Sequence, residues 1–245
     1  MNQPPNTSSI EPDSLSGLDH LGKFLEGMQL SSGAIPSNKN GTHDPWDHLE
    51  AVMGLTTLGY QTEAIKGLNW MISNQNSDGS WYNLYDDQKP IEFNKQTNYS
   101  SYLAVATWHF FLLNKDINFL QNHLESIKRG IAFSLSLQND SGAIAWNVDD
   151  KGEVDDDYLL TGCSSITKSL ECGIAICQIL GQKSLEKEWR IAHAKLIKAI
   201  ENPAGIFDLK KDRSKFSMDS YYPILGGVNL KKAASSLIRN IETTF

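Results

Sequence analysis

The chain has 245 residues, 40% hydrophobic and 21% charged, which suits one globular domain with a large core and requires no second one. A formal net charge of −7 excludes the basic face of a nucleic-acid binder, so no nucleic-acid partner is expected. No apolar run approaches the length that spans a bilayer, and the first residues lack a basic-then-apolar signal; the expectation is no transmembrane segment and a cytoplasmic protein.

Residues 1–14, MNQPPNTSSIEPDS, are polar and rich in Pro and Ser, and are expected to be a disordered lead-in to a single domain over 15–245. From there two kinds of helix alternate. Residues 15–29, 61–74, 117–137, 184–200 and 229–243 are amphipathic; 184–200, for example, puts Leu185, Trp189, Ala192, Leu196 and Ile200 on one face. Between them come DPWDHLEAVMGLTTL (44–58), YSSYLAVATWHFFLL (99–113), LLTGCSSITKSLECGIAICQIL (159–180) and SMDSYYPILGG (217–227). The second and third of these are apolar on nearly all sides, as helices surrounded by protein are. Asp44 before Pro45 is a helix cap followed by proline at the first helical position, and Pro223 is expected to kink the last segment. No convincing run of alternating strand is present. The fold class is all-α, in two concentric layers. Cys163, Cys172 and Cys177 lack metal-type spacing and read as reduced core thiols.

A repeat runs through the amphipathic helices. Lys66–Trp81 reads KGLNWMISNQNSDGSW, and Arg129–Ile144 reads RGIAFSLSLQNDSGAI, with basic-Gly, an aromatic, Gln and Gly at the same offsets. Phe24–Ile35 keeps Phe24, Gln29, Gly33 and Ile35. Such repeats mean one supersecondary unit stacked several times. Physically, Gly79 can turn left-handed where the helix ends near Gln75, Trp81 can cover that end, and Gln75 can bond orphan backbone groups at a neighbouring helix end. The pattern resembles the QW motif of squalene and oxidosqualene cyclases, whose α/α toroid is shared with protein prenyltransferases. The resemblance covers roughly residues 20–230. It implies an incomplete α/α toroid of about four helical hairpins, since nine helices are too few to close the ring. Self-association, or a partner that closes the ring, is expected because an open arc exposes apolar flanks.

In such a toroid the inner helix N-termini open onto one end of the cavity, where dipoles and free N–H groups favour anionic groups. The candidate site follows. His43-Asp44-Pro45-Trp46-Asp47-His48-Leu49-Glu50 places Asp47 and Glu50 three apart and Asp44 and His48 four apart on a helix, so each pair shares a face. A carboxylate beside an aromatic wall can have a raised pKa and act as a general acid; the purely local alternative is that these acids cap the helix. Asp47, Glu50, Asp155 and Asp156 are the candidate catalytic acids, and Asp44, Trp46, His48, Tyr99, Trp146, Asp219 and Tyr221 the candidate substrate-binding residues. Glu153-Val154-Asp155-Asp156 resembles the Asp-x-Asp-Asp motif of class II terpene cyclases with its first aspartate replaced, which implies Asp155 as proton donor. The same acids could hold Mg²⁺, as hard cations take carboxylate oxygens. No other metal is expected: His43 and His48 lack a third ligand, and the prenyltransferase zinc pattern is absent. The expected function is a terpenoid cyclase or prenyltransferase-like enzyme on an isoprenoid or lipid-like small molecule. Two alternatives stand beside it: a six-hairpin carbohydrate-active enzyme on a glycan, whose paired acids and aromatic lining look alike, and a non-catalytic toroid scaffold.

Overall fold

The computed structural model describes residues 16–38, 41–210, 212–213 and 216–228. The expected lead-in 1–14 and the expected helix 229–243 lie outside the described residues. Among the described residues a short 3₁₀ turn is followed by eight α-helices: α1 (Asp19–Met28), α2 (Pro45–Thr57), α3 (Gln61–Ser73), α4 (Thr97–Asn114), α5 (Ile117–Leu135), α6 (Leu160–Ile179), α7 (Lys183–Glu201) and α8 (Ser217–Leu225). The even-numbered helices pack in a row, α2 on α4, α4 on α6 and α6 on α8, while α3, α5 and α7 pack behind α2, α4 and α6. This is an incomplete α/α toroid of four hairpins, as the alternation of amphipathic and apolar helices implies. One contiguous core runs from Ala34 to Val228, with Trp70, Trp81 and Trp189 fully buried at the seams between layers.

Helix ends follow local chemistry. Asp44 caps α2 by accepting the Asp47 N–H at 2.8 Å, ahead of Pro45 in the first turn. Asp116 caps α5 in the same way, accepting the Phe119 N–H at 3.1 Å. The three cysteines are buried, unpaired thiols. Among the described residues no helix is long and apolar enough to cross a membrane.

The repeat is a clasp between successive outer helices. Gln75 Nε2 donates to Gly79 O across its own turn and to Ser126 O on α5, both at 2.9 Å. Gln29 does the same to Gly33 O and Glu63 O on α3, and Gln138 to Gly142 O and Ala192 O on α7. For Gln75 and Gln138 the second acceptor lies mid-helix rather than at a helix end, where the sequence pattern placed it; for Gln29 it lies in the first turn of α3. Each turn glycine has positive φ, and a Cβ on Gly79 would lie 2.2 Å from Arg129 O, so the turn sits directly on the next helix. The basic-Gly pair is the other half of this contact. Lys66 O and Arg129 O meet Gly33 and Gly79, while a Cβ on Gly130 would lie 2.1 Å from Ser100 O of α4. Gly130 thus lets the outer helix approach the inner one closely.

The all-α reading holds, with short strands in the connections that the sequence does not show. Among the described residues strand is present as five segments of two to four residues: β1 (Thr42–His43), β2 (Leu84–Asp86), β3 (Lys89–Glu92), β4 (Lys95–Gln96) and β5 (Asn147–Val148). β1, β2 and β3 form an antiparallel sheet, and β4 pairs antiparallel with β5, Lys95 opposite Val148 and Gln96 opposite Asn147. Segments this short carry no alternation for a sequence to show. They stiffen the connections that lead into the inner helices.

Candidate active site

A cavity of about 310 Å³ opens among the starts of the inner helices. Trp46 comes from α2, Asn98 and Tyr99 from α4, Thr161, Gly162 and Ser165 from α6, and Met218 and Tyr222 from α8. Gln96 on β4, Trp146 just before β5 and Arg213 complete the polar and aromatic wall. Helix N-termini therefore do converge on one end, carrying their positive dipole ends with them. A smaller recess of about 200 Å³, lined by Glu50, Tyr102 and Lys168, adjoins it through the shared residues Ser165 and Tyr222.

The aromatic wall is tightly ordered. Trp46 stacks on Tyr102 with ring centres 4.0 Å apart and planes within 9°, and lies 6.3 Å from Tyr99 and 6.2 Å from Tyr222. The Tyr102 hydroxyl donates to Glu50 Oε1 at 2.5 Å, which fixes that carboxylate at the cavity edge. Burial, then the charges of Asp44, Asp47 and Glu92, holds the Tyr99 hydroxyl above its ordinary pKa, and burial pushes Tyr222 up to about 12. These phenols stay neutral donors at any physiological pH. Neither Asp44 nor Asp47 is among the residues that line the cavity: Asp47 is exposed, and Asp44, half-buried at the α2 cap two residues before the lining Trp46, is the acid whose pKa is shifted. Burial raises it to about 6 against the opposing hydrogen bond from the Asp47 N–H, and the neighbouring Asp47 charge pushes the same way as burial.

Other expected site residues lie elsewhere. His48 turns away from the cavity into the seam between helices: Nδ1 accepts the Ile35 N–H at 3.2 Å and Nε2 donates to Gly67 O at 3.0 Å. Its ring lies 4.9 Å from Trp70, and burial pushes it down to about 3. Asp155 Oδ1 accepts the Asp157 N–H at 3.1 Å, within a turn that the cavity lining does not include. Asp156 is exposed and ion-paired with Lys210, a contact that depresses its pKa. The buried acid of that run is Asp157, which the sequence does not distinguish from its neighbours. Asp219 pairs with Arg213 at 3.1 Å and so sits just behind the lining, and Tyr221 is half-buried beside Tyr222. Among the described residues no three His, Cys, Asp or Glu side chains gather as a metal-binding set.

Sequence reasoning missed Arg213, which lies in a basic stretch that reads as a solvated loop. In the structure its guanidinium lies 4.4 Å from the Phe216 ring centre as well as on Asp219. It also missed Thr161 and Ser165. Nothing in the sequence singles them out, because α6 also carries Ser164, Thr167 and Ser169, whose hydroxyls bond carbonyls of their own helix. Thr161 Oγ1, Ser165 Oγ and Asn98 Oδ1 have no hydrogen-bond partner among the described residues.

Comparison with known proteins decides between the readings. No family model matches the sequence. Over 210 residues the chain is 34% identical to the MMP endo-(1,4)-3-O-methyl-alpha-D-mannosidase of Mycolicibacterium hassiacum, a match covering 86% of this chain and 57% of that protein. The chain thus spans little more than half the length of this relative. Among solved structures it is similar to a rhamnosidase from Klebsiella oxytoca with rhamnose bound, with a TM-score of 0.66 and 12% identity over 96% of this chain and 48% of that one. It is similar to an uncharacterised conserved protein from Thermus thermophilus, with a TM-score of 0.73 and 10% identity over 92% of this chain and 75% of that one. An α-amylase from Clostridium perfringens gives a TM-score of 0.67 at 12% identity, over 92% and 69% of the two chains. At these identities the structural likenesses carry the fold alone. The mannosidase match overturns the expectation of a terpenoid cyclase or prenyltransferase, in family, function and enzyme class alike. The reason is physical: the QW-like residues clasp outer helices to one another, and none of them lines the cavity.

Proposed function

We propose that the cavity binds the sugar rings of an α-mannoside and that the chain carries this part of a glycoside hydrolase. Glycoside hydrolysis needs a carboxylic acid to protonate the departing oxygen and a second carboxylate to act as base or nucleophile. Asp44 is the candidate acid, because burial raises its pKa to about 6, which keeps about half of it protonated at pH 6 and about a tenth at pH 7. Asp47, three residues on in the first turn of α2, and Glu50, held by Tyr102, are the candidate carboxylates. Trp46 and Trp146 offer apolar faces to sugar rings, while Asn98, Thr161 and Ser165 supply unspent polar atoms for hydroxyls.

The observation that carries this proposal is Asp44: half-buried and shifted upward, at an inner helix start beside an aromatic cavity, in a chain whose relative is a mannosidase. The test is hydrolysis of an aryl α-D-mannoside and of α-linked manno-oligosaccharides by the wild type, Asp44→Asn and Asp47→Asn. Loss of the general acid should lower kcat about 100- to 10,000-fold. In the wild type kcat/KM should fall as pH rises through about 6, where Asp44 loses its proton, and Asp44→Asn should abolish that limb. Full activity in both variants would overturn the assignment.

A further inference from the structure

Outside the cavity, on the same end of the molecule, lies a cleft of about 420 Å³ lined by Tyr82, Phe93, Lys95, Asp149, Asp150 and Lys151, with Gly152 at its edge. Phe93 is 49% exposed, a large aromatic surface left in water. Its ring meets Tyr82 edge-to-face, with centres 5.2 Å apart. Tyr82 is held in place: its N–H donates to the hydroxyl of buried Tyr85 at 2.8 Å, and Lys95 Nζ lies 5.8 Å from its ring centre. Lys95 is itself anchored by Asp78 at 2.7 Å. The platform is therefore built on fixed supports rather than on a loose loop.

The cleft and the cavity share a wall. On β4, Lys95 lines the cleft and Gln96 lines the cavity; around β5, Trp146 lines the cavity and Asp149 the cleft. Neighbouring strand residues point to opposite faces and rise only about 3.4 Å each, so one two-residue ribbon separates the openings. A chain of sugars leaving the cavity over this ribbon would meet the Phe93–Tyr82 platform next.

We propose that this cleft is a second, outlying subsite for a neutral glycan chain whose other part occupies the cavity; the inference rests on the mannoside proposal above. The lining chemistry selects the ligand class. Aromatic faces accept the apolar face of a sugar ring, and exposed Asp150 and Lys151 offer an acceptor and a donor for hydroxyls. Asp149 Oδ1 already accepts the N–H groups of Lys151 and Glu153, which shapes the rim. The lining holds two acids and two lysines, and Lys95 is already paired with Asp78, so no surplus positive charge is left to favour an anionic chain.

The test uses the full chain and the Phe93→Ala variant, titrated with methyl α-D-mannoside and with a long α-1,4-linked manno-oligosaccharide. Binding is followed by the change in intrinsic tryptophan fluorescence, to which Trp46 and Trp146 in the cavity contribute and which the substitution, removing no tryptophan, leaves available in both proteins. Phe93→Ala should weaken the oligosaccharide about tenfold, as loss of an aromatic anchor does, and leave the monosaccharide curve superimposable on that of the wild type. Equal oligosaccharide affinity in the two proteins, or equal weakening of both ligands, would overturn the subsite and leave the cavity proposal standing. A wild type that binds neither ligand would instead remove the mannoside proposal itself.

Discussion

Replacing Trp81 tests the repeat as a physical device. The side chain is fully buried, and its Nε1 donates at 2.8 Å to Met71 O in the last turn of α3, one of the carbonyls a helix end leaves without an internal partner. Its ring also packs against Gly130 on α5, where an added Cβ would sit 3.2 Å from Trp81 Cζ3. Trp81→Ala therefore removes a large ring from the junction of two outer helices, at about 3–5 kcal/mol, and takes the donor from a buried carbonyl, at about 1 kcal/mol more. Against a total stability of about 5–15 kcal/mol this is a large share, and for a chain of this size the melting temperature should fall by about 10 °C or more. Trp81→Phe keeps most of the apolar contact and loses only the N–H and part of the ring, so about 1–2 kcal/mol is expected. Urea denaturation of the three proteins, read as free energies, separates packing from hydrogen bonding. A Trp81→Ala protein within about 0.5 kcal/mol of wild type would refute the clasp as a source of stability.

The other perturbations probe the clasp, the buried histidines and the acidic turn. Gly79→Ala should cost more than about 2 kcal/mol in the same assay, since φ is +92° and the new Cβ meets Arg129 O; Gln75→Leu, which strips donors from two carbonyls, should cost about 1–3 kcal/mol. A result for either near zero would place the clasp outside the energetics of folding. Burial lowers His43 to about 4 and His48 to about 3 from the usual 6.5, so the unfolded chain takes up protons first as pH falls. The contribution of these two rings should be full above about pH 6.5 and drop toward pH 4, by up to about 1.4 kcal/mol per pH unit for each ring, partly offset below about pH 6 by Asp44, whose raised pKa acts the opposite way. Neither His43 ring nitrogen has a hydrogen-bond partner among the described residues, so His43→Leu should be close to neutral at pH 7 and should flatten this acid slope; parallel curves for variant and wild type would contradict the assignment. Asp156→Asn should leave both glycan binding and melting unchanged, because the side chain is exposed and paired only at the surface with Lys210; a loss of activity would return that turn to the site.

How much was legible differs between fold and site. Helix existence and order were readable because they depend on patterns within a few turns: α3 spans Gln61–Ser73 against an expected 61–74, and α6 spans Leu160–Ile179 against 159–180. Asp44-Pro45 marks a helix start for reasons confined to three residues, the cap, the ring and the first N–H. The repeated Gln and Gly announced stacked hairpins, and the stack is there. The sequence could not give the partner of each glutamine, because Ser126 O lies on the next outer helix and only packing brings it to Gln75. Strands of two residues leave no period to read, although β4 and β5 shape the cavity wall. His48 is the sharpest case. Four residues from Asp44 on one helix, it looked like a site residue, yet its ring is spent on Ile35 and Gly67, tying the α1–α2 connection to α3. Arg213, by contrast, left a solvated-looking loop for the cavity because Asp219 was there to pair with it. Local sequence determined what each segment is, since backbone hydrogen bonds and periodic burial are settled over short distances. Only the tertiary structure decided which side chains share the cavity, since those contacts join segments far apart in the chain, and the repeats that named the shape sit in the outer layer, away from the chemistry.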